Sequence, residues 1–112
     1  MAVPDRQLAE AIRFIREHAC DGLRVEEVLD TSKQSANTLQ RRFKAVLGRT
    51  PKQEITRVQI ETAKRFLAHT DLAIADIAAR SGFTQSKRFT TAFHAKVGTS
   101  PGDFRRQSRP SR

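Results

Sequence analysis

The sequence predicts an all-α fold of about seven helices, with two helix-turn-helix units joined by a long central helix. Three observations predict it: an internal repeat, glycine and proline signals at the expected helix ends, and apolar residues at helical spacing. The 112 residues suffice for one core-forming domain, which we assign to residues 1–112.

The repeat relates the run SANTLQRRFKAVLGRTP to the later run SGFTQSKRFTTAFHAKVGTSP. Fifty positions separate Leu39 from Phe89, Phe43 from Phe93, Leu47 from Val97, Gly48 from Gly98, Thr50 from Ser100, and Pro51 from Pro101. In each copy the apolar residues predict a helix, and the glycine suits the left-handed position after its last turn. The hydroxyl residue and proline that follow predict the N-cap and first turn of a new helix.

A shorter apolar pair precedes each copy, Val25 with Val28 and Ile74 with Ile77. The repeated unit is therefore a short helix, a turn and a longer basic helix, which is the arrangement of a helix-turn-helix. We place the two units at about residues 25–47 and 74–97, and the linking helix at about residues 51–69. The second helix of such a unit can enter the major groove of DNA.

At these residues the chain resembles the DNA-binding domain of the AraC/XylS transcription regulators. The matching positions of the second half are Ile74, Ile77, Ala78, Gly82, Phe83, Phe89, Phe93, Gly98, Pro101 and Arg105, and the resemblance covers about residues 8–106. It implies a homeodomain-like, two-unit fold and sequence-specific binding of double-stranded DNA by a transcription regulator. The sequence departs from the family at Leu29, Lys33, Glu54 and Gln59, where alanine, glycine, an aromatic residue and arginine are usual.

Several local expectations follow from the pattern. A first helix spans residues 5–19, the first helix of unit one ends at Leu29, and its turn occupies residues 30–34. Lys33 at the glycine position predicts a slightly opened turn. We expect Leu39, Phe43, Val46 and Leu47 to face inward, and the residues after Gln107 to form a frayed tail.

The charge of the chain is unevenly distributed. Of the net +9, residues 1–30 contribute seven acids and four bases, while residues 31–53 hold six bases and no acid. Residues 77–102 hold four bases and no acid. One basic run alone is typical of a solvated helix face, but two runs in register with a repeat favour a polyanionic partner.

The outward residues of the two basic helices are the candidates for base contacts. In unit one Asn37, Gln40 and Arg41 have side chains that can read adenine or guanine edges in the major groove. The family resemblance adds Ser86, Lys87 and Thr91 in unit two. An alternative for unit two is a helix that only grips phosphate.

Phosphate contacts are expected from exposed cations and from helix N-termini, where free N–H groups bind anions. The candidates are Ser35, Arg42, Lys44, Lys52, Thr84, Arg88 and Lys96.

Other functional classes find little support in the residues. No nucleophile, base and orienting group occur together, so we expect no enzyme and no cofactor; His18, Cys20, His69 and His94 lack metal-ligand spacing. No apolar run approaches the roughly 20 residues of a membrane span, so no membrane partner is expected and the cytoplasm is the expected location.

The expected partner is double-stranded DNA, and the resemblance also brings RNA polymerase into consideration. If the chain is a fragment, an effector or dimerisation domain is expected upstream. The main alternative function is a basic helical module that docks an acidic protein. RNA binding is a third reading, weakened because the phenylalanines have core spacing.

Overall fold

The computed structural model describes residues 6–32 and 34–109, which form seven α-helices and no strand. The helices are α1 (Arg6–His18), α2 (Val25–Ser32), α3 (Ala36–Leu47), α4 (Pro51–His69), α5 (Ile74–Arg80), α6 (Ser86–Val97) and α7 (Pro101–Ser108). A 3₁₀ turn, Ala19–Asp21, follows α1. The all-α prediction and the two helix-turn-helix units, α2 with α3 and α5 with α6, are confirmed. None of the described helices, not even the 19-residue α4, has the length and apolar character that crossing a membrane requires.

The helix ends follow the repeat. Gly48 and Gly98 end α3 and α6 with φ of 76° and 89°. Thr50 accepts a hydrogen bond from the Gln53 N–H at 3.2 Å, and the Gln53 side chain accepts one from the Thr50 N–H at 2.8 Å. This reciprocal cap fixes the start of α4, where Pro51 occupies the first turn.

Two separate hydrophobic cores lie along α4. The first joins α1, α2 and α3 to the first half of α4 and includes Leu8, Ile15, Val28, Leu39, Phe43 and Ile55. The second joins α5, α6 and α7 to the second half of α4 and includes Ile60, Leu67, Ile77, Phe89 and Phe93. The repeated Phe43 and Phe93 are both fully buried, one in each core. The central helix therefore belongs to both units.

The C-terminal end of α4 is held by α7. The Arg105 side chain donates to the carbonyl oxygens of Leu67, Thr70 and Leu72, at 3.3, 3.1 and 2.8 Å. Arg109 also donates to the Thr70 carbonyl and to the Asp71 carboxylate. The prediction of a frayed tail is therefore wrong for residues 108 and 109, because these contacts order them, and residues 110–112 lie outside the described part.

Two further expectations for unit one differ from the structure. Helix α2 does not end at Leu29 but continues to Ser32, because no glycine or proline interrupts it and Thr31 bonds back to the Glu27 carbonyl at 3.0 Å. Val46 is 41% exposed rather than inward, since the buried side of α3 is the narrow stripe through Leu39 and Phe43. The opened turn expected at Lys33 lies outside the described residues.

Candidate nucleic-acid interface

The exposed face of α3 carries the three residues predicted to contact bases in unit one. Asn37, Gln40 and Arg41 are exposed and lie at i, i+3 and i+4, opposite the buried Leu39 and Phe43. Such spacing places them on one side of the helix. The first core therefore orients this polar face outward.

Helix α6 repeats this geometry in unit two. Lys87 and Thr91 are exposed on the side of α6 opposite Phe89 and Phe93, which are buried in the second core. Ser86 is also exposed, but it lies in the first turn on the same side as these phenylalanines, three and seven residues before them. Lys87 and Thr91 correspond through the fifty-residue repeat to Asn37 and Arg41. The two helices thus present equivalent positions with different chemistry.

The starts of the two helices differ. The Ser35 hydroxyl caps α3 by accepting from the Thr38 N–H at 3.2 Å, and it donates to the Thr38 hydroxyl at 2.9 Å. Helix α6 has Gln85 at its N-cap, without a side-chain cap bond, so Thr84 lies one residue before the cap. The first-turn N–H groups of α6 are consequently not satisfied by a capping side chain, and a phosphate can bind there.

Five cations on the two helices lack neutralising partners. Neither α3 nor α6 contains an acidic residue. In the described part of the chain, the exposed side chains of Arg41, Lys44, Lys87, Arg88 and Lys96 form no ion pair or hydrogen bond. Some cations elsewhere are paired with acids, as in Lys64 with Glu61 at 3.0 Å and Arg24 with Glu27 at 3.8 Å. Helices α3 and α6 therefore present these five positive charges without neutralisation from acids of their own.

Glu54 forms ion pairs with a second group of arginines. Its carboxylate, fully buried, accepts from Arg16 at 3.1 Å, from Arg49 at 2.5 Å and from Arg57 at 2.9 and 3.0 Å. Burial would raise the Glu54 pKa, but the hydrogen bonds from Arg57, Arg49 and Arg16 outweigh it and lower the pKa from 4.5 to about 2. The carboxylate therefore stays ionised, and Arg49 and Arg57 are engaged by it.

The predicted phosphate-contacting residues fall in different places. Lys52, Thr84 and Arg88 line one groove of about 480 Å³, between α4 and the start of α6. Lys96 lines another groove, of about 540 Å³, with Arg49, Arg57 and Lys64. Ser35, Arg42 and Lys44 are exposed along α3 and its cap. The structure thus gathers three of these residues from both halves of the chain around one groove.

The sequence did not reveal two polar residues with structural roles, Glu54 and Gln59. Both are buried, and Gln59 donates to the Ala19 carbonyl at 2.9 Å. The available signal for Glu54 was that it is the first acid after the basic window and lies three residues before Arg57. Among the described residues, no cluster of three histidine, cysteine or acidic side chains could hold a metal ion.

A family model described as a helix-turn-helix domain matches residues 30–107. The chain belongs to the AraC family of transcription regulators. This confirms the resemblance noted in the sequence. The match covers the end of α2, all of α3, the linking helix α4 and the whole of unit two.

Among curated proteins, the AraC-family domain is similar to the HTH-type transcriptional activator RhaS of Shigella boydii. The two are 33% identical over 94 residues, covering 84% of this chain and 34% of that protein. The xylose operon regulatory protein of Escherichia coli K12 is 32% identical over 104 residues, covering 93% of this chain and 26% of that protein. The domain thus spans about a third or less of the length of these relatives.

Solved structures share its fold. The C-terminal domain of AraT, a response regulator from Geobacillus stearothermophilus, gives a TM-score of 0.88 at 30% identity, covering 96% of this chain and 89% of that one. The DNA-binding domain of AdpA, solved with a target DNA, gives a TM-score of 0.85 at 27% identity, covering 92% and 93%.

Proposed function

We propose that this AraC-family domain binds double-stranded DNA sequence-specifically as part of a transcription regulator, with α3 and α6 in adjacent major grooves. The observation that carries the proposal is the pair of equivalent, acid-free helices, each with an exposed polar face. In the described part of the chain, Arg41 and Lys44 on α3 and Lys87, Arg88 and Lys96 on α6 form no ion pair. The resemblance to the DNA-bound AdpA domain supports it.

The dimensions of the domain fit two adjacent grooves. Helix α4 has 19 residues, about 28 Å at about 1.5 Å per residue. Successive major grooves on one face of DNA lie about 34 Å apart. Because each unit packs on one half of α4, a helix of this length can hold both units near adjacent grooves, provided that each recognition helix leans in the required direction.

Unit one provides more of the sequence discrimination in this proposal. Asn37, Gln40 and Arg41 carry planar groups that make two parallel hydrogen bonds with a base, each pair worth about 1–3 kcal/mol against a wrong base. Ser86 and Thr91 offer single, less selective hydroxyl bonds, while Lys87 supplies charge. Phosphate contacts come from Ser35, Arg42, Lys44, Lys52, Thr84, Arg88 and Lys96.

The test is selection from a randomised DNA library, followed by binding measurements on the enriched site. The parent should enrich a site with two half-sites about 10 base pairs apart, and footprinting should show two protected patches. Arg41→Ala should relax the preference at one or two positions, whereas Lys87→Ala should weaken binding to all sequences more evenly.

Arg13→Ala is the matched control, because Arg13 is exposed on α1, away from both recognition helices, and should leave binding unchanged. Absence of enrichment, together with binding to an acidic protein, would favour the docking module instead. None of the seven phenylalanines is exposed, which disfavours stacking on unpaired RNA bases. The greater length of the relatives supports a further effector or dimerisation domain, which we place upstream and which the natural reading frame would test. Contact with RNA polymerase is proposed from the family resemblance alone.

A further inference from the structure

The boundary between the two cores falls on one buried polar residue of α4. Ile55 and Val58 pack in the first core, and Ile60 and Ala63 in the second. Gln59 lies between these sets and is 6% exposed. A buried amide requires hydrogen-bond partners, so this residue must be positioned by what surrounds it.

Three parts of the chain meet at Gln59. Its amide donates to the carbonyl oxygen of Ala19, 40 residues earlier, in the 3₁₀ turn of the first core. The turn of unit two reaches the same point through Gly82. A Cβ atom at Gly82 would lie 2.7 Å from the Ala19 oxygen, 2.8 Å from the Gln59 amide nitrogen and 3.0 Å from the Cys20 Cα.

Gly82 therefore allows the backbone of unit two to touch the 3₁₀ turn that packs in the core of unit one, with Gln59 between them. Its φ of +102° is also a conformation that other residues rarely adopt. One turn of helix further along α4, the Cys20 thiol lies 3.4 Å from the Thr62 hydroxyl. We name this contact region, comprising Ala19, Cys20, Gln59, Thr62 and Gly82, the inter-unit junction.

A single helix between two cores can bend, and each unit would then move with its own end of α4. The inter-unit junction is a second connection that opposes this movement. We propose that Gln59 is a positioning residue that fixes the relative orientation of α3 and α6, and thereby the spacing between the two DNA half-sites. This inference rests on the proposed function, because spacing has meaning only for a protein that reads two half-sites.

Spacing is a sensitive readout of this orientation. One inserted base pair moves the second half-site by about 3.4 Å along the DNA axis and by about 35° around it. A rigid pair of units cannot follow both changes, so the parent should lose roughly tenfold or more in affinity per inserted or deleted base pair. A looser pair should tolerate the change.

The experiment compares the parent with Gln59→Met, which keeps the length of the side chain but removes the amide donor. Both proteins select from a randomised DNA library, and their affinities are then measured on the enriched site with one base pair inserted or deleted between the half-sites. Val58→Ala is the control, because it weakens the adjacent first core without touching the inter-unit junction.

We expect the parent and Val58→Ala to select one spacing. Gln59→Met should select the same half-site sequences at two or more spacings and lose less than about threefold per base-pair change. Gln59→Asn, whose amide is one methylene too short to reach Ala19, should behave alike if the methionine variant does not fold. If a folded Gln59 variant still selects a single spacing, this inference is overturned and the proposed function is not affected. A parent that enriches no sequence overturns the proposed function and this inference with it.

Discussion

At the scale of single residues, Glu54 shows how a basic domain accommodates a buried charge. Taking a carboxylate out of water is costly unless cations and hydrogen bonds replace the solvent. Three arginines do so here, from α1, from the loop before α4 and from α4 itself, and each remains 32–49% exposed. Glu54 thereby ties α1 to the start of α4 while the arginines keep part of their hydration.

Glu54→Gln should lower the free energy of unfolding by about 2–3 kcal/mol at pH 7, because the lowered pKa of Glu54 is a contribution to stability. Partial exposure of the arginines keeps this below the cost of breaking a wholly buried pair. Since the folded pKa is depressed, the contribution is complete above about pH 4.5 and is lost as pH falls toward 2. Urea unfolding at pH 7, 4.5 and 2.5 measures it.

The difference between parent and Glu54→Gln should therefore fall below about 1 kcal/mol by pH 2.5. Glu61→Gln is the control, because this carboxylate is 47% exposed and pairs only with Lys64, and it should cost less than about 0.5 kcal/mol. A difference in the free energy of unfolding that does not change with pH would contradict the assignment of Glu54 as an ionised carboxylate bound by three arginines.

At the scale of elements, α4 depends on other parts of the chain at both ends. Its start is stabilised locally by Thr50, Pro51 and Gln53. At its other end, Thr70 donates to the Phe66 carbonyl, and Arg105 of α7 binds the Leu67 carbonyl together with those of Thr70 and Leu72 just beyond the helix. Helix α7 is therefore part of what holds unit two on the central helix.

Arg105→Ala should destabilise the domain by about 1.5–3 kcal/mol, because it removes charged hydrogen bonds to three backbone carbonyls. Arg105→Lys should restore less than half of this, since one ammonium cannot reproduce the guanidinium geometry. Thermal and chemical unfolding measure both effects. Arg106→Ala is the neighbouring control, 74% exposed and paired only with Asp103, and a comparable loss there would argue against the capping role.

Helix α3 has a narrower buried side than its apolar residues suggest. Phe43→Ala should cost about 3–5 kcal/mol, because it opens a cavity in the first core, and Phe93→Ala should do the same in the second. Val46→Ala should cost less than about 0.5 kcal/mol, since its side chain already contacts solvent. Chemical denaturation of the three variants compares them, and a Val46 cost near that of Phe43 would contradict the observed orientation of α3.

At the scale of the whole molecule, charge is divided between two populations. Arg16, Arg49 and Arg57 share the one carboxylate of Glu54, whereas five cations of α3 and α6 form no ion pair in the described part of the chain: Arg41, Lys44, Lys87, Arg88 and Lys96. These five can bind phosphate, and so release counterions from DNA, without first breaking an internal ion pair.

Affinity for DNA should therefore depend steeply on salt. If about six phosphates are neutralised, log K should fall against log salt concentration with a slope of about −5. Lys52→Gln should reduce the steepness by about 0.9, because it removes one phosphate contact. Lys64→Gln is the control, since Lys64 pairs with Glu61, and should leave the slope unchanged. A parent slope shallower than about −2 would point to a protein partner.

Much of the fold could be predicted from the sequence because its signals are local. The apolar spacing, Gly48, Gly98 and the Thr50–Pro51 cap act within a few residues of where they occur, and α4 has the predicted bounds. The repeat also relates equivalent positions of the two units. Val46 corresponds to the charged Lys96, and this correspondence could have indicated that Val46 is exposed. The outward placement of the candidate base-contacting residues, Ser86 excepted, follows from the same local periodicity.

Contacts between distant segments were decided only by the tertiary structure. Gln59 meets Ala19 across 40 residues, Arg16 meets Glu54 across 38, and Arg105 meets Leu72 across 33. Helical periodicity reports which side of a helix is buried, but not which polar group of another segment will lie opposite a buried amide or carboxylate. That pairing depends on how the two units pack on α4. The ion pairs at Glu54 and the inter-unit junction at Gln59 could therefore be found only in the folded chain.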